Sequence, residues 1–203
     1  MKFDFDPKRM ALIVVDMQND FVKPGAPMQV PKATEMVPRL KRLIEYCRKK
    51  EIPVLYTAHV HSPDGSDMGL MDDFWAPIAQ RKALVDGTEG ADIYPEIAPK
   101  PGEPVIKKHR YSGFYGTDLE IRLRNLGVEA VAITGTVTNI CCESTARDAQ
   151  FRDFKVVFVS DCTGAMDIEG MSADEIQKAT LNSVNSCVAM VMDSEELIKR
   201  TGP

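Results

Sequence analysis

The chain has 203 residues, 44% of them hydrophobic, with 25 Lys and Arg against 30 Asp and Glu for a formal charge of −5. That length suits one folding unit, expected to span residues 1–203, with enough interior to bury a sizeable core. Opposite charges are interspersed, so there is no polyelectrolyte footprint for nucleic acid or an anionic membrane, and no apolar run approaches the roughly 20 residues of a membrane span. Without a signal-like opening segment, the expectation is a cytoplasmic protein whose partner is a small molecule.

The first apolar run, Ala11-Leu12-Ile13-Val14-Val15, reads as a buried strand ending in Asp16. A helix is predicted from about Thr34 to Lys50, where Met36, Val37, Leu40, Leu43, Ile44 and Cys47 recur at the spacing of one buried face. A strand over 52–57 follows. Residues 58–103 are irregular and carry Phe74, Trp75 and Pro77, a composition expected of a lid, a pocket wall or a subunit contact. The extended segment Pro104-Val105-Ile106-Lys107 ends in Lys108. Thr117-Asp118-Leu119-Glu120 has the form of a capping box, which predicts a helix ending near Gly127. Strand 130–134 leads through a turn at Gly135 into a helix with Thr138 or Asn139 as N-cap, Cys141 in its first turn and an end near Arg152. Strand 155–160, a long helix opened by a second capping box at Ser172-Ala173-Asp174-Glu175, and strand 188–192 complete the pattern. Alternation of strand and helix predicts an α/β fold: a three-layer α/β/α domain around a six-stranded, mainly parallel sheet with right-handed crossovers.

In open parallel sheets ligands bind beyond the carboxyl ends of the strands, which is where Asp16, Lys108 and Cys141 all fall. They are a base, a cation and a nucleophile. Helix-start N–H groups and the positive end of the helix dipole favour a thiolate at Cys141 and can hold an oxyanion. Taken singly, each has a plain alternative: a buried cysteine filling a gap, a carboxylate capping a turn, a solvated lysine. Their coincidence favours chemistry. Lys107 competes with Lys108 for the cation, and strand alternation admits only one of them. Cys142 lies about 100° around the helix from Cys141, so the two cannot both face a pocket. The odd cysteine count, without metal-type spacing, predicts reduced thiols, with Cys47 and Cys187 as core filler and Cys162 in core or pocket wall.

Three segments carry a resemblance: Ala11 through Asp16-Met17-Gln18-Asn19-Asp20-Phe21, Lys108-His109-Arg110-Tyr111-Ser112-Gly113-Phe114-Tyr115-Gly116-Thr117-Asp118-Leu119, and Thr138-Asn139-Ile140-Cys141 through Asp148-Ala149. In this order, and over nearly the whole chain, they resemble the signature segments of the isochorismatase-like cysteine hydrolases. The resemblance implies a catalytic triad of Asp16, Lys108 and Cys141. It implies a cis peptide at Thr136-Val137 that helps aim the N–H groups of Val137 and Cys141 at the substrate oxygen, and a homodimer or homotetramer. The run His61-Ser62-Pro63-Asp64-Gly65-Ser66-Asp67-Met68-Gly69 looks like the ureido-cleaving branch, which includes N-carbamoylsarcosine amidase and ureidoacrylate amidohydrolase.

The expected activity is therefore cysteine-dependent cleavage of the C–N bond of a small amide, an N-carbamoyl or ureido compound, through a thioester or S-carbamoyl intermediate and without a cofactor. Phe21, Trp75 and Tyr111 are assigned to the pocket wall. The alternative within the family is a nicotinamidase, whose branch places an Asp-x-His zinc motif about where His59-Val60-His61 stands. Here His59 replaces the Asp, with Asp64 and Asp67 as the obvious further ligands; the two histidines are expected on opposite faces of the segment, and no metal is expected. Two alternatives come from other classes. A non-catalytic small-molecule binding protein is one. A dinucleotide-binding oxidoreductase is the other, and it fails because Asp16-Met17-Gln18-Asn19-Asp20 lacks the G-x-G-x-x-G needed for close pyrophosphate approach.

Overall fold

The computed structural model describes residues 3–202. Six strands, β1 (Met10–Val15), β2 (Val54–His59), β3 (Val105–Lys108), β4 (Ala130–Thr136), β5 (Lys155–Gly164) and β6 (Met190–Met192), pair in parallel in the order β3-β2-β1-β4-β5-β6. Strands β1 and β2 are buried along their whole length, as strands in a sheet covered on both faces should be. The helices are α1 (Asn19–Val22), α2 (Ala33–Lys49), α3 (Met71–Phe74), α4 (Ala76–Ala79), α5 (Leu119–Asn125), α6 (Glu143–Phe151), α7 (Ala173–Cys187) and α8 (Ser194–Thr201).

Alternation along β1 builds the three layers. Leu12 and Val14 face one core with Met36, Leu40, Leu43 and Ile44 of α2 and Leu197 of α8. Ala11, Ile13 and Val15 face the other, with Leu119 and Leu123 of α5, Ala146 and Ala149 of α6 and Val184 of α7. From β1 the chain proceeds outward to β2 and β3, then crosses back to β4 and outward again. The switch point thus lies between β1 and β4, whose carboxyl ends carry Asp16 and the approach to Cys141.

Several local expectations need correction. β2 starts and ends two residues later than predicted, because pairing of Leu12 with Val54 and of His59 with Lys108 sets its limits; His59 is therefore its last residue. The first capping box does not form. Thr117 Oγ1 donates to the Gly113 carbonyl, Glu120 accepts from Arg152, and Asp118 is an N-cap without a side-chain cap bond. The second does form, with both halves present at Ser172 and Glu175. β5 extends to Gly164 through a shift in its register with β4, beyond the apolar run that marks it in the sequence. Helix α8 was not expected; Asp193 caps it by accepting from Glu196 N–H. Among the described residues no helix is long and apolar enough to cross a membrane.

Candidate active site

Asp16 follows β1 with its backbone in the left-handed region at φ +48°, a conformation that Asp tolerates better than most residues. Both sides hold it there. Its N–H donates to the Thr57 carbonyl at 3.2 Å, and its carbonyl accepts from Thr136 Oγ1 at 2.8 Å. Gly135, at φ +109°, lets β4 lie against β1, since a Cβ there would fall 1.9 Å from the Val15 carbonyl oxygen. The carboxylate accepts from Thr57 Oγ1 at 2.6 Å through Oδ1 and pairs with Lys108 Nζ at 2.7 Å through Oδ2.

Lys108 reaches Asp16 from two strands away, a distance of about 10 Å between backbones that its extended side chain covers. Its Nζ also donates to the Arg110 carbonyl at 3.0 Å. Burial along β3 alternates, with Lys108 inside and Lys107 outside, where Lys107 Nζ pairs with Asp86 at 2.7 Å. The inward cation is thus the one expected.

Cys141 stands in a π-helical turn, Thr138–Cys142, that runs into α6. The N-cap is Val137, neither Thr138 nor Asn139; the Thr138 hydroxyl is drawn to Gln177 Oε1 at 2.6 Å. Cys142 N–H reaches back to the Val137 carbonyl at 3.2 Å, so Cys141 lies in the opening turn, whose N–H groups lack upstream helical acceptors. The Thr136-Val137 peptide is cis, as the resemblance implied. Cys141 lines the pocket, whereas Cys142 is wholly buried with its Sγ toward the Thr134 carbonyl. Of the remaining cysteines, Cys47 and Cys162 are core residues, while Cys187 is exposed at the end of α7 and is not filler.

Burial pushes the Cys141 thiol up to about 12, and Lys108 nearby offsets only part of this while Asp16 adds to it. Burial therefore disfavours the thiolate although an ion pair lies beside it. Burial alone would lower Lys108, but Asp16 and Cys141 beside it bring the ammonium out above its ordinary value.

In front of Cys141 lies a narrow pocket of about 20 Å³. Phe21, Trp75 and Tyr111 all line it, as expected, and Trp75 Nε1 donates to Tyr111 Oη at 3.1 Å. His59 also lines it.

The two histidines do not diverge. Residues two apart on a strand share a face, so the expectation of opposite faces misjudged the period; the ring centroids are 4.8 Å apart. Asp64 turns away to accept from Ser66 N–H and Oγ in its own loop. Asp67 accepts from Ser62 and lies 3.2 Å from His109 Nδ1 and 3.9 Å from His61 Nδ1. The donor atoms that gather most closely are those of Asp16, His59 and Cys141, all within 4.8 Å of one another. These are ligand types for a soft divalent cation, but the Lys108 ammonium at 2.7 Å from Asp16 opposes a second positive charge there.

Two contributors escaped the sequence reading. Thr57 orients the Asp16 carboxylate, and Gln18 clamps His59 by accepting from its N–H at 2.9 Å and donating to its carbonyl at 2.9 Å. Gln18 lies within a quoted signature segment, which was the available signal; Thr57 had none.

The isochorismatase domain model matches residues 10–196. Nicotinamidase 3 of Arabidopsis thaliana is 31% identical over 97% of this chain and 90% of its own length. The crystal structure of a cysteine hydrolase from Pseudomonas syringae pv. phaseolicola 1448A is 33% identical, covers 98% of this chain and 95% of its own, and superposes with a TM-score of 0.94. That of N-carbamoylsarcosine amidase from Thermoplasma acidophilum is 30% identical, with coverage of 92% and 97% and a TM-score of 0.76.

Proposed function

The chain belongs to the isochorismatase family and is a hydrolase, and on that premise we propose that it is a cysteine amidohydrolase acting on a small amide, specifically an N-carbamoyl or ureido compound. The observation that carries the proposal is the convergence of Cys141 with the fully buried Asp16–Lys108 pair at the mouth of the β1/β4 switch point.

Because burial disfavours the thiolate, the thiol proton must leave as the sulfur attacks, and Asp16 is the acceptor within reach. Lys108 stabilises negative charge on the sulfur and on Asp16 in turn. The N–H groups of Val137 and Cys141 hold the tetrahedral oxyanion, worth more in a dry pocket than in water. Asp16 then returns its proton to the scissile nitrogen, and ammonia or an amine departs. The thioester or S-carbamoyl enzyme is hydrolysed by a water that Asp16 deprotonates, and the thiol is restored.

A nicotinamidase-type activity is the second reading, favoured by the identity with the Arabidopsis protein and by the predominantly apolar pocket. Ammonia release from ureido acids, biuret-like compounds and primary amides, with and without chelator, separates the two. Release from a ureido compound that is chelator-resistant and lost in Cys141→Ala supports the first reading. Release that persists in Cys141→Ala, or from no compound of the panel, counts against both. The same proposal includes a cytoplasmic homo-oligomer, with Leu70 and Phe74, 72% and 70% exposed beside the pocket segment, as the surface buried between subunits.

A further inference from the structure

Most polar groups near Cys141 are already committed. Asp16 is taken by Thr57 and Lys108, and Trp75 Nε1 by Tyr111. His59 is not. Its residue is 2% exposed, and its Nε2 is buried without a hydrogen-bond partner among the described residues. An unpaired buried polar atom is costly, so one that persists calls for a partner that arrives later. The ring is also held in place. Gln18 clamps the backbone on both sides, and the His61 and Tyr111 rings flank it at centroid distances of 4.8 and 6.2 Å.

The position of that ring selects the substrate group it meets. One nitrogen of His59 lies within 4.8 Å of both the Cys141 sulfur and an Asp16 carboxylate oxygen. When the sulfur bonds to a carbonyl carbon, the oxygen turns toward the N–H groups of the helix start and the scissile nitrogen toward Asp16, which must protonate it. A group this close to both sulfur and carboxylate stands on the leaving-group side. Burial, reinforced by the Lys108 charge, keeps the ring neutral by holding it well below the ordinary histidine range, so one ring nitrogen is always bare.

Resting on the amidohydrolase reading, we propose that His59 is a further catalytic residue, whose bare ring nitrogen accepts a hydrogen bond from the N–H of the scissile nitrogen. As that nitrogen becomes tetrahedral, the bond turns its lone pair toward the proton on Asp16. No net proton passes through His59: the thiol proton goes to Asp16 and from there to the departing amine, and His59 begins and ends neutral.

The test compares an amide with an ester of the same acyl group, because an ester leaving oxygen has no N–H to donate. Acylation rates are read from the first-turnover phase for wild type, His59→Phe and His59→Gln. His59→Phe is expected to slow amide acylation by about 10- to 100-fold while leaving ester acylation within about threefold, and His59→Gln, which restores an acceptor, to recover most of the amide rate. Ester turnover in the same sample shows that the variant is folded; should His59→Phe not accumulate, His59→Leu carries the same comparison. Equal losses on amide and ester, or no loss on either, overturn the role of His59 and leave the amidohydrolase reading standing. Failure of the wild type to cleave any amide, with ester cleavage intact, sinks that reading and this inference with it.

Discussion

Lys108 Nζ lies 2.7 Å from Asp16 Oδ2 with both side chains wholly withdrawn from solvent, although β2 separates their strands in the sheet. Such a pair gains little net stability, because desolvation of both ions offsets their attraction, yet removing one partner strands the other. Lys108→Met is therefore expected to abolish activity and to lower stability by about 3–5 kcal/mol in urea unfolding. Asp16→Asn combined with Lys108→Met should regain most of that stability and none of the activity. Lys107→Ala loses only a surface pair with Asp86 and should stay within about 0.5 kcal/mol, fully active. Inactivity of Lys107→Ala with an active Lys108→Met would reverse the assignment.

Cys141→Ala and Cys141→Ser should each lose turnover by at least about a thousandfold, while Cys142→Ala, whose sulfur faces the Thr134 carbonyl, should keep most of it. Enzyme quenched during turnover should carry its acyl or carbamoyl mass on the peptide containing both residues, and fragmentation should place it on Cys141. An adduct found on Cys142 refutes the choice.

Trp75 is half-buried on the pocket wall and is the chain's single tryptophan. Substrate or a competitive inhibitor is expected to shift its emission, and Trp75→Leu to raise KM by about 3- to 30-fold through lost contact area. If emission and KM are both unmoved, the pocket is not where substrate sits.

Burial pushes His61 down to about 4, against an ordinary histidine value of about 6.5 in the unfolded chain. Between those values the unfolded state binds a proton that the folded state does not, so stability falls as pH drops from 6.5 toward 4 and is unaffected by this group above 7. The contribution is about 3 kcal/mol over that window. Urea unfolding of wild type and His61→Gln at pH 7 and pH 4.5 measures it: the variant should lose distinctly less on acidification. Equal losses would show that His61 titrates normally.

Ser172 and Glu175 satisfy each other's end of α7. Ser172→Ala should cost about 1 kcal/mol in thermal or urea unfolding with activity unchanged, because it removes the acceptor of the Glu175 N–H.

Periodicity made the architecture legible without coordinates. Unbroken apolar runs such as Ala11–Val15 require a strand buried on both faces, and the spacing from Met36 to Cys47 requires a helix lying on one of them, because burial of apolar surface acts on each segment locally. Asp16, Lys108 and Cys141 were legible for the same reason, each being placed by the end of its own strand or the start of its own helix. Helix starts were read less well, since a capping side chain can find a better partner elsewhere, as Thr138 does at Gln177. What remained depended on neighbours far apart in the chain. Sheet order brings Thr57 of β2 between Asp16 and Lys108, and the packing of residues 58–103 over the strand ends buries the thiol, which opposes the ionisation that a helix start favours. His59 became part of the site only when β2 ran two residues further than its apolar pattern, because its last pairing is with Lys108, a strand partner 49 positions downstream whose identity no local pattern encodes.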